Sequence, residues 1–272
     1  MTFPRHTRRK FLAAAGAMAV AGPDIRSFGA SQRDDASSLV KGKDNRLLVL
    51  KKYPAVFETP LNLLAEQAIT PKSLLFVRNN QQPEDTATVG PSSHTNWNVK
   101  LSGGITQEVS VSLAQLDEME MTEYEMVLQC SGNGRSLFSK AAQTNGTQWG
   151  KGGMGNVRFA GVRLIKVLEN SNLGIDPAVQ FINASGADSP ENGKEDFLHS
   201  LPIHNVLNRS ILALYLNGER LPAIHGGPVR LITPGVYATM HMKWLSELRF
   251  VTDESTNHNH VPRYRVPHRP IM

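Results

Sequence analysis

The chain reads as an α+β fold of mixed sheets and short helices. β-forming runs and short helical runs alternate irregularly, which argues against a doubly wound parallel sheet. No internal repeat, heptad pattern or long low-complexity tract interrupts them. Apolar residues make up 40% of 272, enough for one large domain or two small ones.

Ordered structure opens at Leu47-Leu48-Val49-Leu50. Residues 61–68 fit a short helix that Thr70-Pro71 ends. Residues 74–78 form a strand candidate, followed by a polar loop through Asn79, Asn80 and Pro83. Residues 109–113 alternate, lead into an acidic helix over 116–125, and are followed by a buried strand over 125–129. A glycine-rich stretch covers 141–156. The next unit begins at Val162-Arg163-Leu164, with 165–168 helical or extended. Residues 179–182 and 211–215 are strand candidates, and Asn217-Gly218 is a strong turn signal. Residues 229–232 and 244–250 look extended, and the tail from Thr256 shows no core face. The organisation expected is a leader over 1–22, a polar linker over 23–45, a domain over 46–255 and a tail over 256–272.

A basic sequence pI near 9.4 suggests a nucleic-acid partner, but the excess sits at one end. Arg5, Arg8, Arg9 and Lys10 lie in the leader, and the remaining 25 basic side chains face 24 acidic ones. No nucleic-acid partner is expected from a near-neutral body. The leader has a basic head, a short apolar run and small residues at Ala19-Val20-Ala21, the pattern of an export signal. Its apolar run is too short for a stable membrane span. Arg8-Arg9 followed by Lys10-Phe11-Leu12 resembles a twin-arginine signal, which predicts a periplasmic protein.

One cysteine, Cys130, sits between an apolar run and a small-residue turn, five residues before Arg135. Two readings of it stand. A lone cysteine is often a buried small hydrophobe. A thiolate held at a strand end is also a soft ligand for a transition metal, and a nearby cation favours that thiolate.

Five blocks in order resemble the sulfite oxidase family of molybdopterin enzymes, over roughly residues 46–266. They are Phe76-Val77-Arg78-Asn79-Asn80, Gln129-Cys130-Ser131-Gly132-Asn133-Gly134-Arg135, and Trp149 with Gly155-Asn156-Val157-Arg158. His225-Gly226-Gly227-Pro228-Val229-Arg230 and His241-Met242-Lys243-Trp244-Leu245 complete the set. The resemblance implies a molybdopterin-binding catalytic domain in which Cys130 is the molybdenum ligand. It implies cofactor contacts from Phe76, Val77, Arg78, Asn79, Asn80, Asp188, His225, Arg230, His241, Met242 and Lys243. Arg78 and Arg135 are the candidate oxyanion-binding groups, because a guanidinium gives paired hydrogen bonds and keeps its charge. Tyr264, in Arg263-Tyr264-Arg265-Val266-Pro267, matches a pocket tyrosine that helps move a proton.

The activity implied is oxidation of sulfite, or a related small sulfur anion, by oxygen-atom transfer. One cysteine excludes a Cys-x-x-Cys-His haem attachment, so electrons are expected to pass to a separate c-type cytochrome or other acceptor. The chain departs from the pattern at Asn80, where many members have histidine, and an amide takes no proton near neutral pH. The resemblance also leads us to expect that the family's C-terminal dimerisation domain is absent. Methionine-sulfoxide reduction within the same superfamily, a cysteine nucleophile, and a non-catalytic cofactor-binding protein are the rival readings. A zinc site from His258, His260 and His268 lacks a ligand pattern.

Overall fold

The computed structural model describes residues 35–83, 85–138, 144–190, 195–261 and 263–264. The expected export signal and the first part of the expected linker lie outside them. The rest of that linker is docked on the domain through Ala36, Val40 and Lys43, with exposed residues between them. Asp35 caps α1 (Ala36–Leu39), its carboxylate accepting from the Ser38 N–H at 2.8 Å. Ala36 and Val40 are fully buried against Leu47, Ala55 and Phe57. A cluster of this kind ties the segment to the domain by apolar burial, and the domain boundary moves forward accordingly.

β1 (Leu48–Lys51), β2 (Val56–Glu58) and β3 (Val77–Arg78) make a small antiparallel sheet in that order. Between them α2 (Leu61–Leu64) is shorter than the 61–68 expectation. Only the last two residues of the expected strand over 74–78 pair. The N–H groups of Leu74 and Leu75 instead donate to the Pro71 carbonyl, each at 2.9 Å, as a turn.

β4 (Asn98–Gly103) and β5 (Val109–Ser112) form a hairpin that leads into α3 (Leu113–Asp117). Ser112 and Gln115 close a capping box at its start. The acidic helix expected over 116–125 therefore starts earlier and ends at Asp117. β6 (Met121–Gln129) claims residues 121–125, because all nine of its residues pair with β7 (Met154–Arg163). β6 is also an edge strand, not a buried one: Val127 is 57% exposed.

α4 (Leu164–Asn170), β8 (Phe181–Gly186), β9 (Leu198–Pro202), α5 (Ile203–Arg209) and β10 (Ile211–Leu216) follow. The Asn217-Gly218 turn into β11 (Glu219–Arg220) has φ of 53° and 80°, the left-handed pair that a tight hairpin needs. β12 (Arg230–Ile232) and β13 (Leu245–Val251) complete the strands. The second sheet runs β11-β10-β7-β6 with β12 paired to β10, and the third runs β5-β4-β13-β8-β9. In that third sheet β4 and β13 are parallel while the other pairs are antiparallel. This is the α+β class that the sequence predicts.

The largest core packs Leu101, Ile182, Leu248 and Phe250 of the third sheet against Leu164 and Leu168 of α4. Each such side chain contributes roughly 1.5–3 kcal/mol. A second core holds Phe76, Leu128, Trp149, Phe159 and Cys130, with Phe76 edge-on to Trp149 at 5.9 Å. The tail also has a core face: Asn259 and His260 are buried.

Candidate molybdenum cofactor and anion site

Strand ends from all three sheets converge on one cavity. β3 brings Arg78, with Phe76 just before it and Asn79 and Asn80 just after. Cys130 stands one residue past the end of β6, and Asp188 two past the end of β8. The connections on either side of β12 bring His225, His241, Met242 and Lys243, while Arg230 opens β12 itself. Tyr264 completes the rim. Two residues singled out from the sequence do not line this cavity. Strand alternation sends Phe76 and Arg78 to one face and Val77 to the other, and Val77 is fully buried in the third core beside Phe57. Its side chain does not line the cavity. Arg135 lies farther out.

Cys130 is pinned by its backbone. Its N–H donates to Gly153 O at 2.8 Å and its carbonyl accepts from Asn133 N–H at 3.0 Å. Sγ accepts from Gly132 N–H at 3.5 Å. Burial raises the thiol's pKa, while that N–H and the charges of Arg78 and Arg135 pull it down. The free thiol is thus protonated at neutral pH, and a metal would displace that proton.

The back wall is cationic and buried. Lys243 Nζ donates to Asn79 Oδ1 at 2.6 Å and Ile224 O at 2.8 Å. Arg230 donates to His225 O at 3.0 Å and His241 O at 3.3 Å. Lys43 stands behind them and was hidden in the expected linker. Its Nζ donates to Lys72 O at 2.6 Å and Leu75 O at 2.7 Å, and sits 2.8 Å from His225 Nε2. Burial lowers both lysine pKa values well below the ordinary value and takes Arg230 to about 9. Burial also depresses His225, whose neighbours Lys43, Lys243 and Arg230 add to the effect. Asp188 is the one carboxylate lining the cavity among the described residues, and burial raises it to about 7. Buried cations held mainly by carbonyl oxygens are costly without an anion against them. His241 lines the cavity with both ring nitrogens engaged. Its Nδ1 accepts from Thr233 N–H at 2.9 Å, which leaves Nε2 to donate to Val236 O at 3.2 Å. Both nitrogens therefore brace the wall.

The front is a vestibule lined by Lys51, Arg78, Arg135 and Arg263, with Glu195 as its carboxylate among the described residues. Arg135 donates to Thr147 O at 3.1 Å. Its guanidinium lies against Gly132 and Gly146, where an added Cβ would come within 2.9 and 2.7 Å of it. Asn80 joins the two spaces. Its Oδ1 accepts from Arg78 Nη2 at 2.5 Å and Arg263 Nη2 at 3.3 Å, and the Tyr264 hydroxyl stands 3.4 Å away. Arg263 was named in the sequence only as a neighbour of Tyr264. The zinc idea finds no support: His260 bonds His199 and Glu254, and His268 lies outside the described residues. No group of three or more metal-ligating side chains assembles among the described residues.

Residues 86–259 match the family described as "Oxidoreductase molybdopterin binding domain". The mitochondrial sulfite oxidase of Rattus norvegicus is 32% identical over 215 residues, covering 78% of this chain and 38% of that protein. The NADH nitrate reductase of Cichorium intybus is 28% identical over 246 residues, covering 88% of this chain and 26% of that protein. Among solved structures, the sulfane dehydrogenase SoxCD of Paracoccus pantotrophus superposes with a TM-score of 0.63 at 25% identity, covering 76% of this chain and 49% of that chain. The chain belongs to the molybdopterin-binding oxidoreductase domain family. It spans less than half the length of the sulfite oxidase and of the nitrate reductase.

The residues present fit the molybdenum cofactor. Cys130 offers a soft donor at the cavity wall. Lys43, Arg230 and Lys243 supply the charge that a buried phosphate requires. Asp188 offers a carboxyl edge that can pair with ring nitrogens.

Proposed function

We propose that the chain oxidises sulfite or a closely related small sulfur anion by oxygen-atom transfer. It then passes electrons to a separate one-electron acceptor such as a c-type cytochrome, after twin-arginine export to the periplasm. The observation that carries this reading is the nested charge: a buried cationic wall behind Cys130 and a second cationic set in front of it. The first suits an anionic cofactor, and the second a small anionic substrate.

When bound, the cofactor supplies a two-electron redox centre able to accept or release an oxygen atom. The protein does the rest. Cys130 anchors the metal. Arg230 and Lys243 hold the phosphate, with Lys43 engaging the His225 ring from behind. Lys51, Arg135 and Arg263 raise the local anion concentration. Arg78, steadied by Asn80, gives paired hydrogen bonds to an oxyanion beside the thiolate. Tyr264 offers a hydroxyl at the rim.

The experiment is metal analysis with turnover. Full-length protein will carry molybdenum and reduce ferricyanide on adding sulfite. Cys130→Ser will fold, as read by circular dichroism, and lose the sulfite-dependent activity. Retained activity in that variant would remove the thiolate-ligand reading, and nitrate reduction without sulfite oxidation would reverse the direction of the chemistry.

A further inference from the structure

We infer that Thr239, His199, His260 and Glu254 form a proton relay that drains the cavity to solvent. The inference rests on the oxidation proposed above, because that reaction produces protons: SO3²⁻ + H2O → SO4²⁻ + 2H⁺ + 2e⁻. The electrons leave to the one-electron acceptor. The protons, which come from water, must leave through the protein. Asn80 takes no proton near neutral pH and cannot store one on the way.

The chain is continuous. Thr239 Oγ1, at the cavity wall, is 3.1 Å from His199 Nε2. His199 Nδ1 is 3.2 Å from His260 Nδ1. His260 Nε2 is 2.9 Å from Glu254 Oε1. His199 is fully buried, His260 is 5% exposed, and the Glu254 side chain is 33% exposed. The path thus runs from the cavity to water in three hydrogen bonds.

Its polarity follows from one acceptor. A carboxylate only accepts, so His260 Nε2 carries a hydrogen. With its hydrogen on Nε2, His260 accepts at Nδ1, and His199 donates from its own Nδ1. His199 Nε2 is therefore an acceptor, and the Thr239 hydroxyl donates to it. Every donor in the chain points outward.

A proton reaching Thr239 from the cavity enters as its O–H bond to the old hydrogen breaks. That hydrogen bonds to His199 Nε2 while the His199 Nδ1–H passes to His260. The charge comes to rest on His260 against the Glu254 carboxylate, and its Nε2–H leaves through Glu254 to water. Both rings, now in the opposite tautomer, return to the resting one by proton exchange before the second proton follows. Burial, with His260 and Arg263 adding to it, takes His199 to a pKa of about 3. His199 therefore hands a proton on without holding one. Among the described residues, Glu254 bonds His260 and Arg263 brings positive charge to His199. Phe197 at 4.9 Å and Tyr264 at 5.4 Å hold the His199 ring edge-on.

A purely structural clasp that pins the tail to β9 would use the same contacts. The two roles separate in the holoenzyme with matched molybdenum content and ferricyanide as acceptor. His260→Gln and His199→Gln will lower kcat at saturating sulfite by about 10²-fold, enlarge the solvent deuterium isotope effect, and regain turnover when imidazole is added. Unchanged kcat, or a loss that imidazole does not restore and the isotope effect does not register, would overturn the relay. ¹⁵N-histidine spectra of the full chain give a readout free of activity. The relay requires His199 with its hydrogen on Nδ1 and His260 with its hydrogen on Nε2, and the reverse pattern ends it. If wild type oxidises no sulfur anion, the functional reading fails, while the spectra still decide the wiring.

Discussion

The two walls of the cavity solve opposite electrostatic problems. The back wall sets buried Arg230 and half-buried Lys243 against the cavity, with buried Lys43 behind them and little carboxylate to offset them. The outer wall gathers Phe197, Thr239 and Tyr264, and the buried His199 behind them is held neutral. One wall stores positive charge and needs an anion to become stable. The other refuses charge and is suited to passing it along. Burial is the cause in both cases, and what differs is whether the side chain is a strong base or a weak one.

The sharpest way to break this contrast is to neutralise the back wall. Lys243→Met will lower retention of the cofactor by about 10–100-fold, the worth of a charge-assisted hydrogen bond. The same change will raise the melting temperature of the cofactor-free protein, because a buried cation without an anion has gone. Each kcal/mol recovered amounts to about 2–4 °C for a domain of this size. Opposite signs in the loaded and unloaded forms, read by metal analysis and calorimetry, are the signature. A fall in both would make Lys243 an ordinary packing residue.

In the vestibule, Arg135→Gln will raise the sulfite KM about 10-fold and leave kcat within about twofold, because the group attracts the anion without lying beside Cys130. The effect will shrink as ionic strength rises. A kcat loss as large as the KM change would move Arg135 into the reacting centre.

The smallest effect is a titration. His199 and His241 both have folded pKa values of about 3 against an ordinary 6.5. The unfolded chain therefore binds more protons than the folded one between those limits. Stability is complete above about pH 6.5 and falls with acid by about 1.4 kcal/mol per pH unit for each ring, until about pH 3. Chemical denaturation across that window will show the slope. His225 is depressed as well and adds to the slope, while Asp188, raised to about 7, opposes it; His199→Gln will remove one ring's share.

Much of the cavity was legible because its residues fall in short blocks: Phe76 to Asn80, Cys130 to Arg135, and His241 to Lys243. Local sequence fixes both identity and direction there, although strand alternation still turned Val77 away. The remainder was illegible for physical reasons. Lys43 is a lysine in a polar stretch, and nothing local marks one that will be buried. His199 and His260 are 61 positions apart and meet only when β9 receives the tail. The helix expected over 116–125 failed because pairing of β6 with β7 outweighed local propensity at Met121 to Glu125. The α+β class survived these errors, since it depends on alternation of elements more than on where each one ends.

Lys43 reaches across 182 positions of sequence to touch His225. A short leading segment thereby becomes a rivet through the cofactor's seat. When that seat is empty, like charges crowd together there, while burial of Ala36 and Val40 still holds the segment to the domain. Loading the cofactor would relieve that crowding and tighten a segment already docked.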